Sequence, residues 1–222
     1  AYGAAADPFP KELLIPRSEW QARIQEMEQR KSRLSDLIRT FKLPMKNQRS
    51  LNYCWVFAPT HCLEIVRLQQ NQPMVSLSPA SAGAQIKGFK NVGGWGKEAL
   101  EWIATRGVCP SAMWPDTSLD RKYLTDEMKA VALDYAVDEW TELVPRNLDQ
   151  LVSMLLRRIP VAIGQNHWSH EVVCCDAVWL DGAIATRIRN QWEGWGDDGF
   201  GIQQGSKMLA DDAVAPRSAI AI

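Results

Sequence analysis

The periodicity of the apolar residues changes along the chain, and that change sets the fold class. As far as Arg158 the apolar positions recur mostly at helical spacing; beyond Pro160 they form short runs broken by turns. Leu180-Asp181-Gly182-Ala183 joins two of these runs, 171–179 and 184–189, and Asp-Gly in that setting is a strong hairpin signal. Helices followed by antiparallel strands imply an α+β protein in two lobes, the first helical and the second an antiparallel sheet or barrel. With 222 residues, 46% of them hydrophobic, the chain has material for a substantial core.

Individual elements follow from local signals. Ser18-Glu19-Trp20-Gln21 reads as a capping box opening one amphipathic helix over 18–42, with Trp20, Ile24, Met27, Leu34, Leu37, Ile38 and Phe41 on its apolar face. An apolar segment from Cys54 to Leu68 reads as a buried helix bent by Pro59. Ser78-Pro79 is a helix start, and a helix over 98–106 stops at Gly107. Residues 148–158 read as helix and 160–163 as a buried strand, with a final strand over 199–203.

The formal charge of −1 gives no electrostatic drive toward nucleic acid or anionic lipid, and no run of about 18 apolar residues suits a membrane-spanning helix. Five cysteines, at 54, 62, 109, 174 and 175, are odd in number and two are adjacent. This is not a disulfide framework, and a reducing, cytoplasmic setting is expected. The N-terminal Ala1-Tyr2-Gly3-Ala4 lacks a secretory-signal pattern.

Three segments carry the chemistry. They are Lys46-Asn47-Gln48-Arg49-Ser50-Leu51-Asn52-Tyr53-Cys54-Trp55-Val56-Phe57, then Trp168-Ser169-His170-Glu171-Val172-Val173, then Arg189-Asn190-Gln191-Trp192-Glu193-Gly194-Trp195-Gly196-Asp197-Asp198-Gly199-Phe200. A thiol at the first turn of a helix sits at the positive end of the helix dipole, which favours the reactive thiolate. In content and order the three segments resemble those of the papain-like cysteine peptidases. His170 and Asn190 follow Cys54 by 116 and 136 positions, the histidine offset slightly short of the roughly 130–150 usual in that family.

The resemblance implies a papain-like domain over 46–222 preceded by an extension over 1–45, and hydrolysis of peptide bonds through a thioester. It implies Cys54 as nucleophile, His170 as its imidazolium partner and general acid, Asn190 as the residue orienting His170, and Gln48 as an oxyanion donor. Trp192 would cover the His170–Asn190 bond, and Gly93 and Gly94 would bind an extended substrate. No cofactor or metal is implied. The expected partner is a peptide or protein substrate, with the helix 18–42 either an integral addition packed on one lobe or a further surface for a protein partner. Transfer to an amine, attack on isopeptide or cell-wall cross-links, and an idle scaffold are the competing readings.

Other residues have blander explanations. His167 reads as a solvated loop residue and His61 as a packed one. A metal site from His167, His170, Cys174 and Cys175 fails because adjacent strand residues point to opposite faces. The ten tryptophans read mainly as core and site walls rather than a stacking surface. Against the family pattern, Leu51 stands where many secreted members have a cysteine, Asn52-Tyr53 replaces a small pair before the nucleophile, and the extension is short for an inhibitory propeptide.

Overall fold

The computed structural model describes residues 9–222. The first eight residues of the expected extension therefore lie outside the described residues. Seven α-helices are described: α1 Trp20–Gln29, α2 Leu34–Phe41, α3 Cys54–Gln69, α4 Pro79–Ile86, α5 Gly96–Arg106, α6 Asp126–Ala132 and α7 Leu148–Leu156. Six strands, β1 Val137–Glu142, β2 Val161–Gln165, β3 His170–Leu180, β4 Ala183–Arg189, β5 Phe200–Gln204 and β6 Asp212–Ala219, form one antiparallel sheet in the order β1-β6-β2-β3-β4-β5.

The sheet has helices on both faces. Val173 and Cys175 of β3 join the core built on α3, whereas Val172 and Cys174 join the core built on α7, as the two-residue period of a strand requires. On the first face α3 packs against β2, β3 and β6 and is flanked by α4 and α5. It is apolar nearly all round, which suits a central helix. Pro59 leaves only the Trp55 carbonyl without its helical donor, and α3 continues through it to Gln69. The second core joins α7 to Ile15, Trp20 and Ile24 of the N-terminal segment.

Several expectations are corrected here. The single helix 18–42 is two helices: Lys31 takes a left-handed conformation (φ 51°) and the Ser32 N–H returns to the Met27 carbonyl, closing α1. Ser18 lies in a short 3-10 turn, and α1 has no side-chain cap at its start, so the capping box does not form. The strand over 199–203 is not the last; β6 follows it, and β1 and α6 also lie in stretches left unassigned. The helix from Ser78-Pro79 stands as read, with Ser78 accepting from the Ser81 N–H, and α5 stops at Gly107 (φ 71°). Asp181 and Gly182 both have positive φ (51° and 78°), as a two-residue type I′ hairpin requires.

The N-terminal segment is bound into the molecule. The Ile15 N–H donates to Ser153 Oγ at 2.9 Å, Arg157 donates to the Leu13 carbonyl at 2.8 Å, and Arg17 pairs with Asp149. Trp20 and Ile24 are buried against the α7 side of the sheet, and Leu34 and Ile38 of α2 against the α3 side. The segment is thus packed on the body of the molecule, one of the two readings open for it, with Phe41 of the same apolar set left 48% exposed.

Candidate active site

Cys54 is the first residue of α3, so its backbone N–H has no partner within the helix. The backbone N–H groups of Glu171 and Trp55 lie near Sγ and favour its thiolate. Helix α3 packs against β3, which His170 opens. Cys54 and His170 line the same cleft, of about 110 Å³, with Trp55, Gly94, Trp95 and Glu171 among the other wall residues.

The ring of His170 is held from three sides. Its Nε2 lies 2.8 Å from Asn190 Oδ1. The Gln191 backbone N–H also donates to Asn190 Oδ1 at 2.8 Å, which identifies that atom as the oxygen. His170 Nε2 must then carry the proton, leaving Nδ1 as the basic nitrogen. Trp192 stacks on the ring with centroids 4.1 Å apart and an interplanar angle of 20°, and Trp168 meets it edge-on at 5.0 Å. The two indoles limit water at the His170–Asn190 bond. Gln191 fastens the loop by donating from Nε2 to the Glu171 carbonyl at 2.6 Å.

Burial pushes the Cys54 thiol up and the His170 imidazole down. The backbone donors at Sγ act the other way on the thiol, and the Asn190 bond acts the other way on the ring. Burial thus resists an isolated thiolate and an isolated imidazolium. Moving one proton from sulfur to ring leaves the pair's net charge at zero.

Gln48 precedes α3 on a loop whose backbone is tied to Gln191, through the Gln48 N–H and the Gln191 carbonyl at 2.9 Å. Its side-chain Nε2 donates to the Leu51 carbonyl at 2.8 Å, and its Oε1 is buried without a donor among the described residues. Gln48 is not part of the cleft wall, and neither are Gly93 and Trp192; Gly94 is. Gly94 is also sterically required, because a Cβ there would lie 2.6 Å from the Trp55 ring. His167 is exposed and reaches the Lys207 carbonyl, and His61 is buried. The five cysteines form no disulfide.

Asn52-Tyr53 has a local explanation. Tyr53 is buried, donates from its hydroxyl to the Lys90 carbonyl at 2.7 Å, and lays its ring where a Cβ on Gly83 would come within 2.8 Å. The Asn52 N–H donates to Asn91 Oδ1 at 2.7 Å. Both residues anchor the loop that leads to Gly94.

Beneath the site runs a buried chain of charges. Lys46 Nζ lies 3.1 Å from Glu64 and 3.2 Å from Asp116. Glu64 accepts from His61 Nδ1 at 2.7 Å and from the Leu77 N–H at 2.9 Å. His61 Nε2 faces Arg189 Nη1 at 3.2 Å, and Arg189 also pairs with Asp198. Burial lowers the His61 pKa, so the ring is neutral, donating to Glu64 and accepting from Arg189. The chain joins the loop before Cys54 to the residue before Asn190.

No family model matches the sequence. A cathepsin L 2 of Paramecium tetraurelia is 27% identical over 176 positions, taking in 70% of this chain and 53% of that protein. A digestive procathepsin L 3 of Tenebrio molitor larval midgut superposes with a TM-score of 0.66 at 19% identity, over 78% of this chain and 66% of that one. A recombinant stem bromelain precursor superposes with a TM-score of 0.71 at 16% identity, over 98% and 77%. The fold is papain-like. The chain spans about half the length of the curated relative it matches. Within the papain-like frame, the helix carrying Cys54 and the strand opened by His170 are the elements that meet at the cleft.

Among the wall residues not singled out from the sequence are two carboxylates. Glu171 stood in view immediately after His170 but read as the first residue of a strand. Asp212 lies on β6, which was not recognised, so nothing marked it.

Proposed function

We propose that this chain is a cysteine peptidase that cleaves peptide bonds through a thioester on Cys54. One observation carries the reading: His170 donates from Nε2 to Asn190, which leaves Nδ1 as the base in the cleft that Cys54 shares. Nδ1 takes the thiol proton, the sulfur attacks the scissile carbonyl carbon, and the tetrahedral intermediate forms. The imidazolium then gives its proton to the departing amine nitrogen as the C–N bond breaks. Water, deprotonated by the same ring, releases the acid and restores the thiol.

The developing oxyanion lies near the free N–H of Cys54 at the start of α3. Gln48 is assigned as second donor from its place before Cys54 in the papain-like pattern; it stands outside the cleft wall with Nε2 on the Leu51 carbonyl, and must turn to reach the oxyanion. Gly94 offers backbone to an extended substrate, and Trp192 shields the His170–Asn190 bond.

Alkylation supplies the test. Iodoacetamide should modify Cys54 faster than a free thiol at neutral pH, and Cys54→Ala should abolish cleavage of a peptide library. Labelling no faster than that of a free thiol, or cleavage surviving Cys54→Ala, removes the proposal. Product analysis with an added amine separates hydrolysis from transfer.

A further inference from the structure

The inner wall of the cleft holds two carboxyl groups that the chemistry above leaves unused. Gly164 of β2 is in register with Glu171 of β3 on one side and Asp212 of β6 on the other. The carboxyls therefore come from two strands separated by one glycine. That glycine is required, since a Cβ on Gly164 would collide with the Asp212 carboxylate, and one on Gly96 would lie 2.5 Å from Glu171 Oε1. Both residues line the cleft together with Cys54.

Glu171 is only 4% exposed, and among the described residues no N–H or hydroxyl donates to its Oε2. The two carboxyls face each other across Gly164. Burial and the neighbouring Asp212 hold the Glu171 carboxyl well above the usual range, and burial raises Asp212 as well, so the two together resist ionisation without a cation beside them. Among the described residues no lysine or arginine forms an ion pair with either group. Apart from Cys54 and His170, the other wall residues, Trp55, Trp95, Gln165, Asn166 and Ser169 with two glycines, carry no charge. A half-buried anion in such surroundings lacks the counter-charge that proteins normally supply.

We propose that Glu171 and Asp212 set the specificity of the cleft, selecting substrates with a lysine or arginine side chain within about two positions of the scissile bond. This rests on the peptidase reading. The distance limit follows from the wall itself, because Glu171 directly follows His170 and lines the same cleft of about 110 Å³ as Cys54, and an extended chain advances only about 3.3 Å per residue. The bound ammonium or guanidinium supplies the counter-charge that the two carboxyls lack, any proton they held passing to solvent, and the aromatic walls flank its aliphatic stem.

Two peptidyl electrophiles differing only in arginine against norleucine at the probed position test this, read as second-order rates of Cys54 modification. The arginine reagent should react at least about tenfold faster, the scale of one charge-assisted hydrogen bond. The ratio should fall to within about twofold of unity in Glu171→Gln/Asp212→Asn. The single change Asp212→Asn should also lower it, should the double variant not fold. A wild-type ratio near unity, or a ratio unchanged in the folded variants, overturns the proposal and leaves the peptidase reading intact. Failure of both reagents and of iodoacetamide at Cys54 overturns the two together. Fast alkylation without peptide cleavage counts against the peptidase alone, and the ratio still decides the acidic wall.

Discussion

Replacing Asn190 by alanine isolates the contribution of ring orientation. The change deletes the 2.8 Å acceptor of His170 Nε2 and leaves the Gln191 N–H without its acceptor. During reaction the ring becomes a cation, and a hydrogen bond to a charged group contributes about 1.5–3 kcal/mol. Each 1.36 kcal/mol is a factor of ten in rate, so kcat/KM should fall by roughly 10- to 150-fold. The stacking of Trp192 at 4.1 Å favours the upper part of that range by limiting water at the bond. The assay is kcat/KM on a cleaved peptide, with the alkylation rate of Cys54 as a second reading and thermal unfolding as a control for folding. Asn190→Asp, which keeps an acceptor, should retain more activity. A folded Asn190→Ala protein within about threefold of wild type would refute the argument that this bond holds the ring in its working tautomer.

Two other predictions concern protonation and the buried charges. The working pair holds one proton; it is lost on the acid side when a second binds, giving imidazolium beside thiol, and on the alkaline side when the last leaves. Burial opposes both states, so the acid limb of kcat/KM should lie below the ordinary imidazole value and the alkaline limb above the ordinary thiol value. A pH–rate profile with its acid limb at or above the imidazole value contradicts this. Lys46→Met leaves Glu64 buried without its cation and should cost about 3–5 kcal/mol, lowering Tm by roughly 6–20 °C. Adding Glu64→Gln should recover part of the loss, and a urea-measured cost under about 1 kcal/mol removes the assignment of an uncompensated charge.

The site was more legible in the sequence than the frame around it. Cys54, His170 and Asn190 each stand at the edge of a strong local signal, and tertiary packing had only to bring those edges together. Gln48 was less legible, because sequence spacing does not reveal that the Leu51 carbonyl takes one of its hydrogens. The break between α1 and α2 left a trace. Between Met27 and Leu34 the apolar face lapses at Arg30 and Lys31, but neither glycine nor proline marks the turn. Strand β6 was hidden for another reason: Asp212-Ala213-Val214-Ala215-Pro216 contains a proline, normally a sign against a central strand. Pro216 lies beyond the overlap with β2, where only β1 remains beside it. Missing β6 meant missing Asp212, the partner of Glu171.

The charges linking Lys46 to Arg189 bear on how the proposed activity would fail. Greasy surfaces can slide by a fraction of a side chain and lose little, whereas ions keyed one to another tolerate almost no slippage. Here the keying joins the floor of the nucleophile's helix to the stem of the loop that holds Asn190. The jaws are thus pinned at a fixed gape, and heating should abolish turnover in the same transition that melts the fold, with no loosened, half-active form preceding it.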